Sequence, residues 1–168
     1  MKRLLVEIKA RCADHSRVRD LLKAANADFK GTDHQIDTYF NVGHGKLKLR
    51  EGNIENFLVH YNREQKSGPK TSKVTLYTAQ PNSSLKEVLT KALGVLVVVD
   101  KKREIYFIDN VKFHLDIVEG LGTFMEIEAI DGDGTRSKSE LLNQCQSYID
   151  LFAIQKDDLI TGSYSDLL

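Results

Sequence analysis

Apolar and charged residues alternate along several short segments of this chain, as they do in a β-strand that buries only one face. In Val6–Arg11, valine, isoleucine and alanine alternate with Glu7, Lys9 and Arg11, which share the opposite face. The same period of two recurs further along the chain. It predicts additional strands at Gln35–Asn41, Lys46–Arg50, Phe57–Arg63, Ser72–Thr78, Leu96–Ile108, Val111–Val118 and Thr123–Ile130.

Other segments repeat apolar residues at helical spacing and are bordered by residues that cap helices. The pattern predicts three helices, which run from about Asp14 to Ala25, from the Ser83-Ser84 pair to Gly94, and onward from Ser137 or Ser139. A short element follows at the C-terminus. Each predicted helix has one apolar side, so each needs an apolar surface to cover.

Turns rich in glycine, asparagine and aspartate separate neighbouring strands, so the sheet is predicted to be mostly antiparallel. About eight strands are enough to close a barrel. We therefore predict an α+β fold, an eight-stranded antiparallel closed β-barrel flanked by helices on its outer face. The length favours a single domain over residues 1–168.

The charged faces of the predicted strands are sorted by sign. One strand presents only lysine and arginine, at positions 46, 48 and 50, whereas another presents only Glu126 and Glu128. The solvated face of a half-exposed strand also alternates apolar with charged residues, so the alternation alone leaves that interpretation open. Neighbouring like charges repel each other, and their segregation indicates a cavity for a ligand that carries both metal and phosphate.

Composition narrows the class of protein. The 168 residues carry 24 basic and 24 acidic side chains, a formal net charge of zero, which argues against a general binder of nucleic acid or anionic membranes. Two cysteines, Cys12 and Cys145, lie far apart and lack the spacing of a metal site. Together with the absence of a long apolar run, they favour a cytoplasmic protein.

Several motifs, in order along nearly the whole chain, resemble the CYTH family of triphosphate tunnel metalloenzymes, and its class IV adenylyl cyclase branch in particular. The segments that carry the resemblance are Val6–Arg11, His34–Phe40, Gly45–Arg50, Gly68–Ser72, Lys101–Arg103, His114–Gly122, Phe124–Glu128 and Ser163–Leu168. The first of them departs from the Glu-x-Glu-x-Lys signature of the family, because Leu5 stands where the first glutamate is expected.

The resemblance implies a barrel whose lumen binds a triphosphate, together with a divalent metal held by carboxylates. It implies Mg²⁺ or Mn²⁺ as the cofactor, with four candidate ligands, Glu7, Asp116, Glu126 and Glu128. It also implies that basic side chains hold the phosphates, namely Lys9, Arg11, Lys48, Arg50, Arg63, Lys73, Lys101, Arg103 and Lys112. Among these residues, Lys9, Arg50 and Arg103 are candidates for a catalytic role, as is His114.

The implied activity is that of an adenylyl cyclase, a lyase that converts ATP into cyclic AMP and pyrophosphate. Two alternatives stay open at this point. The same cradle would serve a hydrolase of inorganic or thiamine triphosphate, or a module that binds a polyphosphate or nucleotide without turnover. The expected partner is thus a small-molecule triphosphate, with no nucleic acid or membrane, and the resemblance allows a homodimer.

Overall fold

The computed structural model describes residues 2–168, and within them it contains a β-barrel with four α-helices and one turn of 3-10 helix, Lys156–Asp158. The strands are β1 (Lys2–Arg11), β2 (Asp28–Phe40), β3 (Lys46–Glu51), β4 (Asn56–Arg63), β5 (Lys70–Thr78), β6 (Val95–Ile108), β7 (Val111–Val118) and β8 (Gly122–Asp131). The helices are α1 (His15–Ala24), α2 (Leu85–Leu93), α3 (Lys138–Leu151) and α4 (Tyr164–Leu167).

Eight strands form one closed barrel in the order β1-β5-β4-β3-β2-β6-β7-β8. Every neighbouring pair is antiparallel, and β1 closes the ring because it pairs with β5 on one side and with β8 on the other. The predicted fold class, a closed eight-stranded antiparallel barrel flanked by helices, is confirmed. Closure gives each of the eight described strands a partner on both sides.

The main hydrophobic core lies outside the barrel, between its wall and two helices. Val18 and Leu22 of α1, together with Leu141 and Cys145 of α3, pack on the outward side chains of β1, β7 and β8. Phe113 on β7 is representative, with only 1% of its surface exposed. Each fully buried Leu, Ile or Phe contributes about 1.5–3 kcal/mol, so this layer holds the three strands in place.

The second helix, α2, covers a smaller patch. Its residues Leu85 and Leu89 contact a cluster formed by Phe40, Leu49 and Ala79 on the opposite side of the barrel. Gly94 ends this helix with a φ of +76°, a conformation that glycine adopts without strain. The predicted start of the third helix is settled at Ser137, whose hydroxyl accepts a hydrogen bond from the backbone N–H of Glu140.

The two ends of the barrel differ. The C-terminal segment lies across one end, where Asp166 pairs with Lys46 of β3 and Tyr164 donates a hydrogen bond to Asp116 of β7. We call this the closed end. At the other end, which we call the mouth, apolar side chains of several strands line the opening; they are Phe57, Leu76, Phe107 and Ile130.

The largest departure from the predicted strands is in β2, which begins at Asp28 rather than at Gln35. Its first half is mostly polar, so it lacks the apolar alternation that marks the other strands. Its Asp33 is nevertheless fully buried, because its carboxylate is surrounded by backbone N–H groups of the loop after β3. Among the helices within residues 2–168, none is long and apolar enough to cross a membrane.

Candidate functional site

The lumen of the barrel is a cavity of about 270 Å³ with charged walls. Because alternate residues of a strand share one face, most polar residues that alternate with the outer core residues point inward. Among the predicted site residues, those that line the cavity are Glu7, Lys9, Lys48, Arg50, Arg63, Lys101, Arg103, Lys112, His114, Glu126 and Glu128. Strand register therefore brings residues from distant parts of the sequence into one site.

Three potential metal ligands meet where β7 and β8 lie side by side. His114 is the direct cross-strand neighbour of Glu126, and Glu128 follows two residues later on the same face. One ligand atom from each lies within 4.8 Å of the others. The His114 Nδ1 is 3.2 Å from a Glu126 oxygen and 3.9 Å from a Glu128 oxygen. A nitrogen and two carboxylates at these spacings can hold a divalent ion.

Burial and neighbouring charges together shift the pKa values of these three groups in different directions. Burial raises the pKa of Glu128 to about 7, and the carboxylates of Glu7 and Glu126 add to the effect against the charge of Lys112. Burial lowers the pKa of His114 to about 3, so its imidazole is neutral. Burial alone would raise the pKa of Glu126, but Lys9 at 2.8 Å and Arg103 keep it well below its usual range.

Asp116 lies next to this cluster but has other partners. Arg103 donates two hydrogen bonds of 2.7 Å to its two oxygens, and the Tyr164 hydroxyl donates a third at 2.6 Å. The carboxylate is fully buried. In this arrangement Asp116 orients Arg103, whose Nη2 also lies 3.3 Å from Glu126. Its expected role as a metal ligand stays a prediction.

A second cluster, on β2, β3 and β6, is rich in positive charge. Asp37 accepts two hydrogen bonds of 2.9 Å from Arg50 and one of 2.7 Å from Lys101, and Lys48 lies 3.3 Å away. Burial would raise the pKa of Asp37, but the three cations hold it well below its usual range. Burial and the charge of Arg50 lower the pKa of Lys48 to about 8. Arg50 also pairs, at 3.2 Å, with Glu55 of the loop after β3, and burial holds the pKa of Lys101 well below its usual range. An anionic ligand would favour the charged forms of Lys48 and Lys101, so this wall suits anions.

Arg63 completes the basic lining near the closed end. Its guanidinium lies 3.0 Å from Glu7 and donates a hydrogen bond of 2.9 Å to the Ser163 hydroxyl. It also lies over the ring of Tyr61, with 4.8 Å between the guanidinium carbon and the ring centroid. These contacts fix the orientation of Arg63 and hold its guanidinium in the cavity wall.

Two of the predicted phosphate contacts lie elsewhere. Lys73 is exposed, because its neighbours Ser72 and Val74 on β5 are the residues that turn inward. The structure thereby corrects the expectation that Lys73 faces the lumen. Arg11 is also exposed, at the end of β1, where its guanidinium lies 5.1 Å from the ring centroid of Phe124. Neither side chain lines the cavity.

Three residues of the site carried no candidate role in the sequence analysis. They are Asp37, which joins the basic wall, Glu55, which reaches the cavity from the loop between β3 and β4, and Tyr164. Asp37 and Tyr39 lie two residues apart in the segment His34–Phe40, so strand alternation could have predicted that both face the lumen. Glu55 sits in a turn, where no periodicity shows the direction of its side chain.

Comparisons with known proteins agree with this fold. A protein of Methanocaldococcus jannaschii named "Putative adenylate cyclase" is 30% identical over an alignment of 176 positions, and the match covers 96% of this chain and 97% of that protein. A solved structure from Pyrococcus horikoshii superposes with a TM-score of 0.83 at 23% identity, covering 98% of this chain and 99% of that one. The latter shows the fold alone.

Two further structures share the fold at lower identity. One, a "putative adenylate cyclase" of Vibrio parahaemolyticus, has a TM-score of 0.76 at 19% identity and covers 98% of this chain and 97% of its own. The other, from Hippeastrum, is a "putative adenylyl cyclase" described with a dominant triphosphatase activity; its TM-score is 0.58 at 15% identity, with 95% and 91% of the two chains covered. The family model for the CYTH domain matches residues 4–164, and the chain therefore belongs to the CYTH domain family.

Proposed function

We propose that this protein is a metal-dependent enzyme that acts on a triphosphate inside the barrel, with ATP as the substrate and cyclic AMP and pyrophosphate as products. The observation that carries the proposal is the meeting, in one buried cavity, of the His114, Glu126 and Glu128 cluster with a wall of lysine and arginine. The name of the Methanocaldococcus jannaschii relative supports the cyclase as the first candidate.

Apart from Arg3, the side chains that line the mouth on β1, β4, β5, β6 and β8 are apolar, which favours a nucleotide over inorganic triphosphate. Along β8, Ile130 at the mouth is followed inward by Glu128 and Glu126, and Phe107 of β6 and Phe57 of β4 line the same opening. Aromatic and aliphatic side chains at this place suit the face of a nucleobase. A triphosphate that enters phosphates first would thus leave its nucleoside at the mouth.

A divalent ion fits the ligand set of the site. Glu126 and Glu128 would hold it, with His114 as a third ligand, because a neutral imidazole offers a nitrogen lone pair. The histidine is a weak base with its pKa near 3, so metal binding suits it better than proton abstraction at neutral pH. The ion would lower the pKa of the attacking hydroxyl and neutralise charge on the phosphates.

The protein side chains would do the remaining work. In the proposed reaction the 3′-oxygen of the ribose bonds to the α-phosphorus, and the bond from that phosphorus to the β-phosphate oxygen breaks. Lys9, Arg63 and Arg103 would bind the phosphates that leave as pyrophosphate and stabilise their added charge. Their pairing with carboxylates fixes them before the substrate arrives, which limits reorganisation during the reaction.

A product assay tests the proposal directly. Purified protein is supplied with Mg²⁺ or Mn²⁺ and, separately, with ATP, GTP, inorganic triphosphate and thiamine triphosphate, and products are separated by chromatography. Cyclic AMP with pyrophosphate is the expected result. Orthophosphate from a triphosphate would replace the cyclase by a phosphohydrolase on the same site, and binding without product would leave a non-catalytic polyphosphate or nucleotide module.

Matched glutamine variants connect any activity to the site. Glu126→Gln and Glu128→Gln each remove a proposed metal ligand, and we expect turnover to fall to the background of the assay. Glu119→Gln changes an exposed glutamate in the turn after β7 and should retain full activity. Retained activity in a site variant would remove that carboxylate from the proposed metal site.

A further inference from the structure

Glu55 places a carboxylate at the mouth of the cavity, where it joins β2 and β3 to β7, which lies beyond β6 in the barrel order. One of its oxygens accepts hydrogen bonds from Arg50 on β3, at 3.2 Å, and from Gln35 on β2, at 3.0 Å. The other accepts a short hydrogen bond from Lys112 on β7. The Glu55 side chain keeps only 12% of its surface exposed, so it is part of the cavity wall rather than of the outer surface.

The loop that carries Glu55 is held by a buried anion. Asp33 accepts hydrogen bonds from the backbone N–H groups of Asn53, Ile54 and Glu55, at 2.6, 2.9 and 3.0 Å. A Cβ atom on Gly52 would lie 2.6 Å from a carboxylate oxygen of Asp33, so the loop approaches the anion as closely as glycine permits. The turn is therefore wrapped around Asp33.

The side chain of Asn56 closes the same loop. Its amide donates to the carbonyl of Gly52 at 2.9 Å, and its oxygen accepts from the Gly52 N–H at 3.2 Å. With its backbone anchored at both ends, the loop has little freedom to swing Glu55 away when a ligand enters. We therefore treat the Glu55 carboxylate as a fixed anion and not as a gate.

A fixed carboxylate between Arg50 and Lys112 occupies the place of a phosphate. Phosphate and carboxylate bind arginine and lysine through the same oxygen contacts. Burial would raise the pKa of Glu55, but Lys112 and Arg50 hold it well below its usual range, so the group stays ionised. A ligand phosphate at this level would meet a negative charge and two cations that already have a partner.

We propose that Glu55 determines specificity by limiting the bound polyphosphate to three phosphates, with only an uncharged organic group accepted beyond them at the mouth. This role deepens the proposed function and rests on it. A nucleoside satisfies the condition, whereas a fourth phosphate would be repelled by the Glu55 carboxylate.

Isothermal titration calorimetry with inorganic triphosphate and inorganic tetraphosphate tests the role of Glu55, with phosphorus NMR to check that both ligands stay intact. We expect the wild type to bind triphosphate at least about tenfold more tightly than tetraphosphate, the equivalent of one step of 1.4 kcal/mol. In Glu55→Ala the preference should disappear, because tetraphosphate gains more affinity than triphosphate does once Arg50 and Lys112 lose this partner.

Glu55→Gln keeps the size of the side chain and removes its charge, and should shift the preference in the same direction. If circular dichroism shows that Glu55→Ala does not fold, Glu55→Gln replaces it in the binding test. Glu51→Gln is the matched control, because Glu51 pairs on the outer surface with Lys86 at 3.1 Å; its preference should equal that of the wild type.

Three results would overturn the role of Glu55. They are an unchanged preference in both Glu55 variants, an equal gain for both ligands, and a wild type that does not discriminate. Triphosphate binding by the wild type separates these results from a failure of the proposed function. If the wild type binds neither ligand, the proposed function falls and the specificity role falls with it.

Discussion

Charged side chains in the cavity are arranged as mutually paired groups, so each residue affects its partners as well as the ligand. Arg63 pairs with Glu7, Lys9 with Glu126, and Lys48 with Asp37. Removing one member leaves the other buried without its partner, which costs more than the pair itself contributes to stability. Variants of these residues therefore need a separate measurement of folding beside any measurement of binding.

Replacing Arg63 by alanine should weaken triphosphate binding by about 2–4 kcal/mol, because a buried guanidinium is lost from the cavity wall and Glu7 is left unpaired. Calorimetric titration with triphosphate measures the loss, and circular dichroism verifies the fold. Lys73→Ala removes the same charge from the outer face and should change the dissociation constant less than threefold. Equal losses in the two variants would mean that overall charge, and not the site, controls binding.

The raised pKa of Glu128 predicts a pH-dependent stability in the metal-free protein. Between pH 4.5, the ordinary pKa, and about 7 the folded state holds a proton that the unfolded chain releases, so stability falls as pH rises through this window. Glu128→Gln removes the effect. It should increase the free energy of unfolding by about 1–3 kcal/mol at pH 8, since each pKa unit corresponds to about 1.4 kcal/mol and partial exposure reduces the full value.

Urea denaturation in the presence of a chelator measures the Glu128→Gln effect at pH 4 and pH 8. At pH 4 the carboxyl is protonated in both states, so the variant and the wild type should have the same stability. The exposed Glu119→Gln serves as control at both values. A gain of the same size at pH 4 would show that the variant acts through packing and not through charge.

The sequence allowed us to predict which residues line the site, but it did not allow us to predict which of them form ion pairs with one another. Strand alternation placed Glu126, Glu128 and Lys101 on inward faces, because the side-chain period of a strand is two. Lys73 was misplaced since its motif was matched without the phase of β5. The pairing of Asp37 with Lys48 and Lys101 depends on the order of strands around the barrel, which no local pattern contains.

Among the helices and strands, the short helix α4 is notable because its contacts orient charged side chains of the cavity. This single turn places Tyr164 against Asp116 and against Lys9, whose ammonium lies 3.7 Å from the ring centroid. Ser163, immediately before it, accepts from Arg63. Through these contacts Ser163 and Tyr164 orient Lys9 of β1 and Arg63 of β4, and Tyr164 also holds Asp116, the partner of Arg103 on β6.

Tyr164→Phe tests this dependence. The change removes the hydroxyl that donates to buried Asp116, and should destabilise the protein by about 1.5–3 kcal/mol, the range for a hydrogen bond to a charged group. Urea denaturation measures it. Tyr77→Phe, on a side chain that is 65% exposed, should change the free energy of unfolding by at most about 0.5 kcal/mol. Equal stability of Tyr164→Phe and the wild type would mean that Asp116 gains no stabilisation from this donor.

Most elements could be predicted because their patterns are local. The spans of β3, β7 and α1 agree with prediction to within about one residue, as apolar spacing and caps define them. The first half of β2 could not be found this way. It is stabilised by pairing with β6 and by the loop around Asp33, and both are contacts between residues distant in sequence.

At the scale of the whole molecule, helices bury more apolar surface on one side of the barrel than on the other. Both α1 and α3 cover β1, β7 and β8, whereas the patch under α2 is smaller and α2 itself has no fully buried residue. Local stability follows the amount of buried apolar contact. The barrel should therefore open first on the side of β3, β4 and β5.

Native-state hydrogen exchange measured by mass spectrometry tests this asymmetry. We expect amides of β1, β7 and β8 to exchange at least about tenfold more slowly than those of β4 and β5, because a difference of about 1.4 kcal/mol in opening free energy suffices. Uniform protection around the barrel would instead indicate that the ring opens only as a unit. The metal-free protein is the appropriate sample, since a bound ligand would bridge the two sides.

Because Tyr164 and Asp166 of the C-terminal segment lie across the closed end, we expect ligands to enter and leave the barrel through the mouth. A substrate that enters at the mouth must depart through the same opening, past Phe57 and Phe107. For the proposed reaction, the nucleoside product stands in the way of the pyrophosphate formed behind it. Products would then be released in a compulsory order, cyclic nucleotide first and pyrophosphate last, and pyrophosphate would compete with each new ATP for the empty enzyme.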